Sequence, residues 1–112
     1  MGSLVFLKTQ QDFESFRASK SFQSAFLRIR VRTAQNQNSP RFGFIIPKKV
    51  LPKAADRNLL KRRMKVVLLK ACPRLKATDV LFFPKSALLK KKFADLEKEI
   101  ELIFTQARLW KH

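Results

Sequence analysis

The chain is poor in the residues from which cross-links and many metal sites are built. Its 112 residues include one cysteine, Cys72, so it can form no internal disulfide and no zinc site made of several cysteines. Cys72 follows apolar residues and is expected to be a buried structural thiol, a usage that suits a reducing compartment. No apolar run approaches the roughly 18 residues of a membrane span, and the N-terminal residues lack the pattern of a signal peptide. We therefore expect a cytoplasmic protein.

Histidine and glycine are almost absent as well. His112 is the only histidine, and the end of a chain holds a catalytic base poorly. Gly2 and Gly43 are the only glycines, which excludes a glycine-rich phosphate loop. The few carboxylates are scattered along the chain, apart from a group on the last predicted helix. That group is interpreted as solvated side chains rather than as a metal site. We expect no catalytic residue and no metal site in this protein, so any catalysis must come from a partner.

Positive charge, in contrast, is in large excess. Twenty-five Lys and Arg against eight Asp and Glu give a formal net charge of +17. Such a field favours a nucleic acid or an anionic membrane surface as partner, and it carries no information about the fold. The helix with the clearest apolar stripe, near the C-terminus, is acidic rather than basic, so a membrane partner fits poorly. We expect a nucleic acid as the partner, with no membrane and no small-molecule substrate.

The hydrophobic spacing predicts one α+β domain over residues 1–112, a two-layer α/β sandwich with helices packed on a small sheet. Its order is α-β-β-β-α-β-α, in which two of the three strands before the long helix have predicted bounds. In the strand from Phe26 to Arg32, alternation places Arg28, Arg30 and Arg32 together on one face. The remaining predicted elements are a short helix from Gln10 to Arg17, an interior strand from Arg41 to Ile46, a helix from Ala54 to Ala71, a strand from Asp79 to Phe83, and a helix from Lys92 to Arg108.

One side of the long helix is almost purely cationic. At about 100° per residue, the buried stripe comprises Leu60, Met64, Val67, Leu68 and Ala71. The adjoining face comprises Arg57, Asn58, Lys61, Arg62 and Lys65. The acids that usually neutralise a solvated helix face are missing here, and an arginine can grip two phosphate oxygens at once. This face is therefore predicted to bind phosphates, with a solvated helix face as the alternative.

Residues 41–65 resemble the signature of the bacterial ribonuclease P protein subunit. In that family a strand of the type Arg-x-Gly-x-x-x-x-Lys-Lys leads into Arg-Asn-Arg-x-Lys-Arg at the start of a helix. The residues that match this pattern are Arg41, Gly43, Lys48, Lys49, Arg57, Asn58, Lys61 and Arg62. Asp12-Phe13, the segment from Leu75 to Phe83 and the terminal helix extend the likeness over nearly the whole chain.

The resemblance implies a protein that binds a large catalytic RNA, in an enzyme that removes the 5′ leader from precursor tRNA. The RNA would hold the catalytic Mg²⁺ ions, and the protein alone would be inactive. A left-handed β-α-β crossover around the long helix is also implied. Residues expected to bind the catalytic RNA are Lys48, Lys49, Lys53, Arg57, Asn58, Lys61, Arg62 and Lys65. Residues expected to bind the leader are Phe13, Arg28 and Arg30, with Arg32 on the same face and Phe16 or Phe26 as further stacking candidates.

Two departures from the family pattern mark a divergent member. Val50-Leu-Pro52 stands where the family has glycine soon after the lysine pair, so the connection is expected to be stiffer or differently bent. Leu59 replaces the second arginine of the Arg-Asn-Arg motif and should be exposed, which removes one RNA contact; Arg63 is a candidate for replacement charge. The alternative function is that of a ribosomal or other structural RNA-binding protein without a role in tRNA processing.

Overall fold

A computed structural model describes residues 5–7, 20–33 and 39–111 of the chain. The strands are β1 (Val5–Phe6), β2 (Lys20–Gln23), β3 (Leu27–Thr33), β4 (Arg41–Phe44) and β5 (Thr78–Pro84); the helices are α1 (Ala54–Ala71) and α2 (Phe93–Gln106), with short 3₁₀ turns at Cys72–Arg74 and Ser86–Lys90. The α+β prediction is confirmed, and α1 has its predicted bounds. The predicted first helix, Gln10 to Arg17, lies outside the described residues.

The strands form one mixed sheet in the order β1-β4-β5-β3-β2. β5 is central, parallel to β4 on one side and antiparallel to β3 on the other. β1 runs parallel to β4 and β2 runs antiparallel to β3, so these two strands form the edges. Neither edge strand has a clear signal in the sequence, because two and four residues are too few to establish an alternation. α1 connects the neighbouring parallel strands β4 and β5, and the left hand of this crossover stays a prediction.

Both helices pack against one face of the sheet, which we call the covered face. The predicted stripe of α1 is confirmed, since Leu60, Met64, Val67, Leu68 and Ala71 are its buried residues. Phe82 of β5 lies at the centre of this core, with its ring centroid 6.0 Å from those of Phe42 and Phe104. Phe93 shares the helical spacing of the buried residues of α2 but is exposed, because it is the first residue of the helix.

The other side of the sheet, which we call the second face, has a small apolar cluster of its own. Leu7 and Leu81 are buried there, and Ile45 and Phe83 pack against them. Because side chains alternate along a strand, Arg28 and Arg30 of β3 also lie on this face. Among the described residues, no helix is long and apolar enough to cross a membrane.

Candidate nucleic-acid interface

The connection between β4 and α1 is fixed to the body of the protein. It turns at Pro47, whose carbonyl oxygen accepts hydrogen bonds from the backbone N–H groups of Val50 and Leu51, at 3.0 and 3.2 Å. Leu51 is then buried in the core. Arg57 Nη1 donates to the carbonyl oxygens of Leu51 and Pro52, at 2.8 and 2.9 Å. The connection thus turns and anchors without the family's glycine, and one of the predicted RNA-binding arginines holds it against the start of α1.

The predicted cationic residues of this region lie on the surface. Lys48, Lys49 and Lys53 in the connection are exposed, and so are Asn58 and Arg62 on α1. The other two, Lys61 and Lys65, are half-buried. The ammonium of Lys65 lies 4.8 Å from the ring centroid of Phe6, a cation–π contact that restrains its long side chain. We call the surface formed by these seven residues and Arg57 the basic face.

The structure confirms the exposure of Leu59 and corrects the role of Arg63. Leu59 is 40% exposed, so the position of the family's second arginine is open to a partner but uncharged. Arg63 donates to the carbonyl oxygens of Leu89 and Lys91, at 2.7 and 2.5 Å. These bonds attach the far flank of α1 to the turn before α2. Arg63 is therefore a structural residue and does not take the place of the missing arginine.

Two of the predicted leader-binding residues lie side by side on the second face. Arg28 is exposed, and its guanidinium carbon is 4.5 Å from the ring centroid of Phe83. Arg30 is half-buried, and its Nε atom is buried without a hydrogen-bond partner. A buried N–H group that lacks an acceptor is unusual in a folded protein. Phe13 and Phe16 lie outside the described residues, while Phe26 is half-buried beneath the Lys91 ammonium at 4.0 Å.

A buried ion cluster on the second face was missed by the sequence reasoning. Asp79, fully buried in β5, accepts hydrogen bonds from Arg41 Nε at 2.8 Å and Arg41 Nη2 at 2.7 Å. Arg32 donates to the same carboxylate from Nε, at 3.1 Å, and from Nη2. Arg32 was only an additional candidate on the face of Arg28 and Arg30, and the structure shows that it neutralises a buried acid. A single aspartate in an otherwise apolar strand was the signal that could have revealed the cluster.

Cys72 and the acids of the described ranges form no recognisable site. Within the described ranges, no three His, Cys, Asp or Glu side chains lie close enough together to hold a metal ion. Cys72 is a free, half-buried thiol. Burial raises its pKa, and the nearby Lys111 charge opposes this only in part. Glu99, one of the acids of α2, accepts hydrogen bonds from Ser24 and from the backbone N–H of Phe26, which fixes the turn between β2 and β3.

Comparisons with known proteins converge on one family. The family model described as Ribonuclease P matches residues 1–108. The chain is 30% identical over 108 residues to the ribonuclease P protein component of Synechocystis sp., an alignment that covers 95% of this chain and 87% of that protein. The fold is similar to that of the Staphylococcus aureus RNase P protein, with a TM-score of 0.87, 15% identity and coverage of 97% and 100% of the two chains. The fold is also similar to that of the RNase P protein of Thermotoga maritima, with a TM-score of 0.74, 24% identity and coverage of 87% of this chain and 93% of that chain.

Proposed function

The chain belongs to the ribonuclease P protein family, and from this premise we propose that it binds the catalytic RNA of ribonuclease P and the 5′ leader of precursor tRNA. As a ribonuclease P protein component, it is part of a ribonuclease. In the proposed division of work the RNA cleaves the leader and the protein increases the affinity and positioning of the substrate. Mg²⁺ ions, held mainly by the RNA, would supply the hydrolytic chemistry.

The basic face would contact the catalytic RNA. The observation that carries this proposal is the clustering of seven cations and Asn58 on α1 and on the connection that Arg57 anchors. Because the backbone of the connection is anchored, it need not become ordered on binding, which lowers the entropic cost. Each phosphate neutralised by a lysine or arginine releases condensed counterions, so the affinity should fall steeply as salt is added.

The second face would contact the leader. Arg28 is supported against the Phe83 ring and remains exposed, so it can meet a phosphate without a large loss of side-chain freedom. Arg30 is half-buried beside it, so the accessible part of its side chain adds a second positive charge to the same surface. Phe13 is proposed as a stacking surface for the leader on the strength of the family resemblance alone. The two proposed surfaces involve opposite faces of the sheet, so both RNAs could be bound at once.

Reconstitution tests the proposed function directly. The protein alone should not cleave precursor tRNA, whereas adding it to a ribonuclease P RNA at low Mg²⁺ should greatly increase release of the 5′ leader. The absence of any effect on leader release would overturn the proposal. If the protein bound ribosomal RNA tightly and left leader release unchanged, the alternative of a structural RNA-binding protein would replace it.

Variants distinguish the basic face from a general effect of charge. The double variant Lys61→Ala/Arg62→Ala should weaken binding to the catalytic RNA and reduce the salt dependence by about one ion for each lost phosphate contact. Lys85→Ala/Lys98→Ala removes the same charge from two exposed positions outside the basic face and serves as the control. Equal effects of the two double variants would show that only net charge matters and would exclude a defined interface on α1.

A further inference from the structure

A groove at the β2 edge of the sheet is separate from both proposed RNA-binding surfaces. It has a volume of about 600 Å³ and lies between the start of β2, the end of β3 and the residues that follow α2. Phe22, Val31 and Leu109 contribute its apolar floor. The first two belong to the covered face, opposite to Arg28 and Arg30. The basic face lies toward the other edge, where Lys65 contacts Phe6 of β1.

Cations border this apolar floor. Lys20, Lys76 and Arg108 line the groove, and none of its described lining residues is acidic. The backbone N–H of Lys76 donates a hydrogen bond to the Leu109 carbonyl oxygen at 2.7 Å, which fixes these two residues side by side. Arg32 also borders the groove, but its guanidinium binds Asp79, so the other three cations carry the argument.

Arg108 occupies a backbone position that would suit glycine. α2 ends in a Schellman motif, in which the Leu109 N–H donates to the Phe104 carbonyl oxygen at 3.0 Å and the Arg108 N–H to that of Thr105 at 3.1 Å. The residue at this position adopts the left-handed conformation, and Arg108 has a φ of 57°. Among the described residues it is the only non-glycine with positive φ. A side chain with a Cβ is disfavoured there, and glycine is the usual choice.

We propose that this groove is a binding site for an unpaired nucleotide of an RNA strand, with the base on the apolar floor and a phosphate between Lys76 and Arg108. The proposal rests on the proposed function, because it assumes that the chain binds RNA. The volume is within the range of small-molecule sites, and an apolar floor beside cations is how single-stranded nucleic acid is bound without sequence readout. The presence of Arg108 at a position that favours glycine is explained if its positive charge binds the phosphate.

The decisive variant is Arg108→Gly, because it should preserve or increase stability while it weakens RNA binding. The melting temperature should stay unchanged or rise by a few degrees, about what relief of one left-handed side chain gives in a chain of this size. The affinity for a fluorescent ten-uridine RNA should fall about two- to fivefold, as for loss of one solvent-exposed charged contact. Lys76→Ala should weaken binding similarly, and each variant should reduce the salt slope by about 0.7, the value for one phosphate contact on a single strand.

A local readout separates this groove from the other surfaces. In two-dimensional NMR spectra the ten-uridine RNA should shift the amide signals of Lys76 and Leu109, and these shifts should be lost in Arg108→Gly but kept in Lys85→Ala, which lies beyond the opposite end of β5. Unchanged groove signals, with affinity still lost in Lys61→Ala/Arg62→Ala, would overturn the groove and leave the proposed function standing. Failure of the unaltered protein to bind any RNA would overturn both. A lower melting temperature in Arg108→Gly would show that Arg108 is retained for stability and would also refute the proposal.

Discussion

Replacing Asp79 by asparagine should separate the stability of this protein from its affinity for RNA. The carboxylate is fully buried in the central strand and accepts hydrogen bonds from Arg32 and Arg41. Asparagine keeps the size of the side chain but removes its charge and half of its acceptor capacity. Two guanidinium groups would then face a neutral partner in a desolvated place. The net charge of the second face would meanwhile become more positive by one.

The magnitude follows from the exposure of the three groups. Removing one partner of a buried ion pair costs about 3–5 kcal/mol. Here the side chains of Arg32 and Arg41 remain 28% and 33% exposed, so water can compensate part of the loss. We expect the free energy of unfolding to fall by about 2–4 kcal/mol. For a chain of this size that corresponds to a melting temperature lower by roughly 8–16 °C.

Urea unfolding and RNA binding, measured on the same preparations, test this expectation. Asp95→Asn is the matched control, because Asp95 is exposed in the first turn of α2 and should contribute only about 0.3–1 kcal/mol through the helix dipole. At urea concentrations below its unfolding midpoint, the Asp79→Asn protein should bind RNA at least as tightly as the unaltered protein. A double-mutant cycle with Arg32→Gln should give a coupling energy of at least about 1 kcal/mol.

Two results would refute this reasoning. If Asp79→Asn loses no more stability than Asp95→Asn, the buried ion cluster does not hold the sheet together. If it weakens RNA binding while the protein is fully folded, then Asp79 acts through the orientation of its arginines toward RNA, and its role is not confined to stability.

Four further predictions concern α1 and its end. Leu60→Ala should lower the free energy of unfolding by about 2–5 kcal/mol because Leu60 is fully buried, whereas the same urea titration of Val66→Ala, an exposed position on the same helix, should change it by less than about 0.5 kcal/mol. Leu59→Arg should tighten binding to the catalytic RNA and raise its salt slope by about one ion, and an unchanged slope would mean that RNA does not reach this position. Arg63→Met should cost about 1–3 kcal/mol in urea unfolding, since it leaves two carbonyl acceptors without their donor, yet leave the salt slope of RNA binding unaltered. Burial raises the pKa of Cys72, so a thiol reagent should label the native protein with a midpoint at higher pH than the unfolded chain, and coinciding midpoints would contradict the raised pKa. The stability contribution of the neutral thiol is complete below the unfolded pKa and is lost as the pH rises through the folded pKa.

Local patterns in the sequence were sufficient to predict the core of this fold. α1 has the bounds and the buried stripe predicted from its helical spacing, because Pro52 and Pro73 bracket it and an apolar repeat over about three turns is a clear helical signal. The two-residue strand β1 was not predicted, and β2 corresponds to a third predicted strand without bounds, since the stability of both comes from pairing with β4 and β3 rather than from their own residues. Residue type alone likewise could not show that Phe93 is exposed.

The candidate site likewise has features that were predictable from local sequence and features that were not. Net charge, the basic face of α1 and the exposure of Leu59 depend on composition and on residues a few positions apart, so the sequence by itself determined them. Which arginines remain available to a partner was decided only by the tertiary structure. Arg41 and Arg32 meet an aspartate that is 38 and 47 positions away, and Arg63 meets carbonyl groups that are 26 and 28 positions away. Such contacts exist only once the sheet has formed and the helices have packed on it. Only the assembled core removes water from a charged group, and a charge without water requires a partner within the protein.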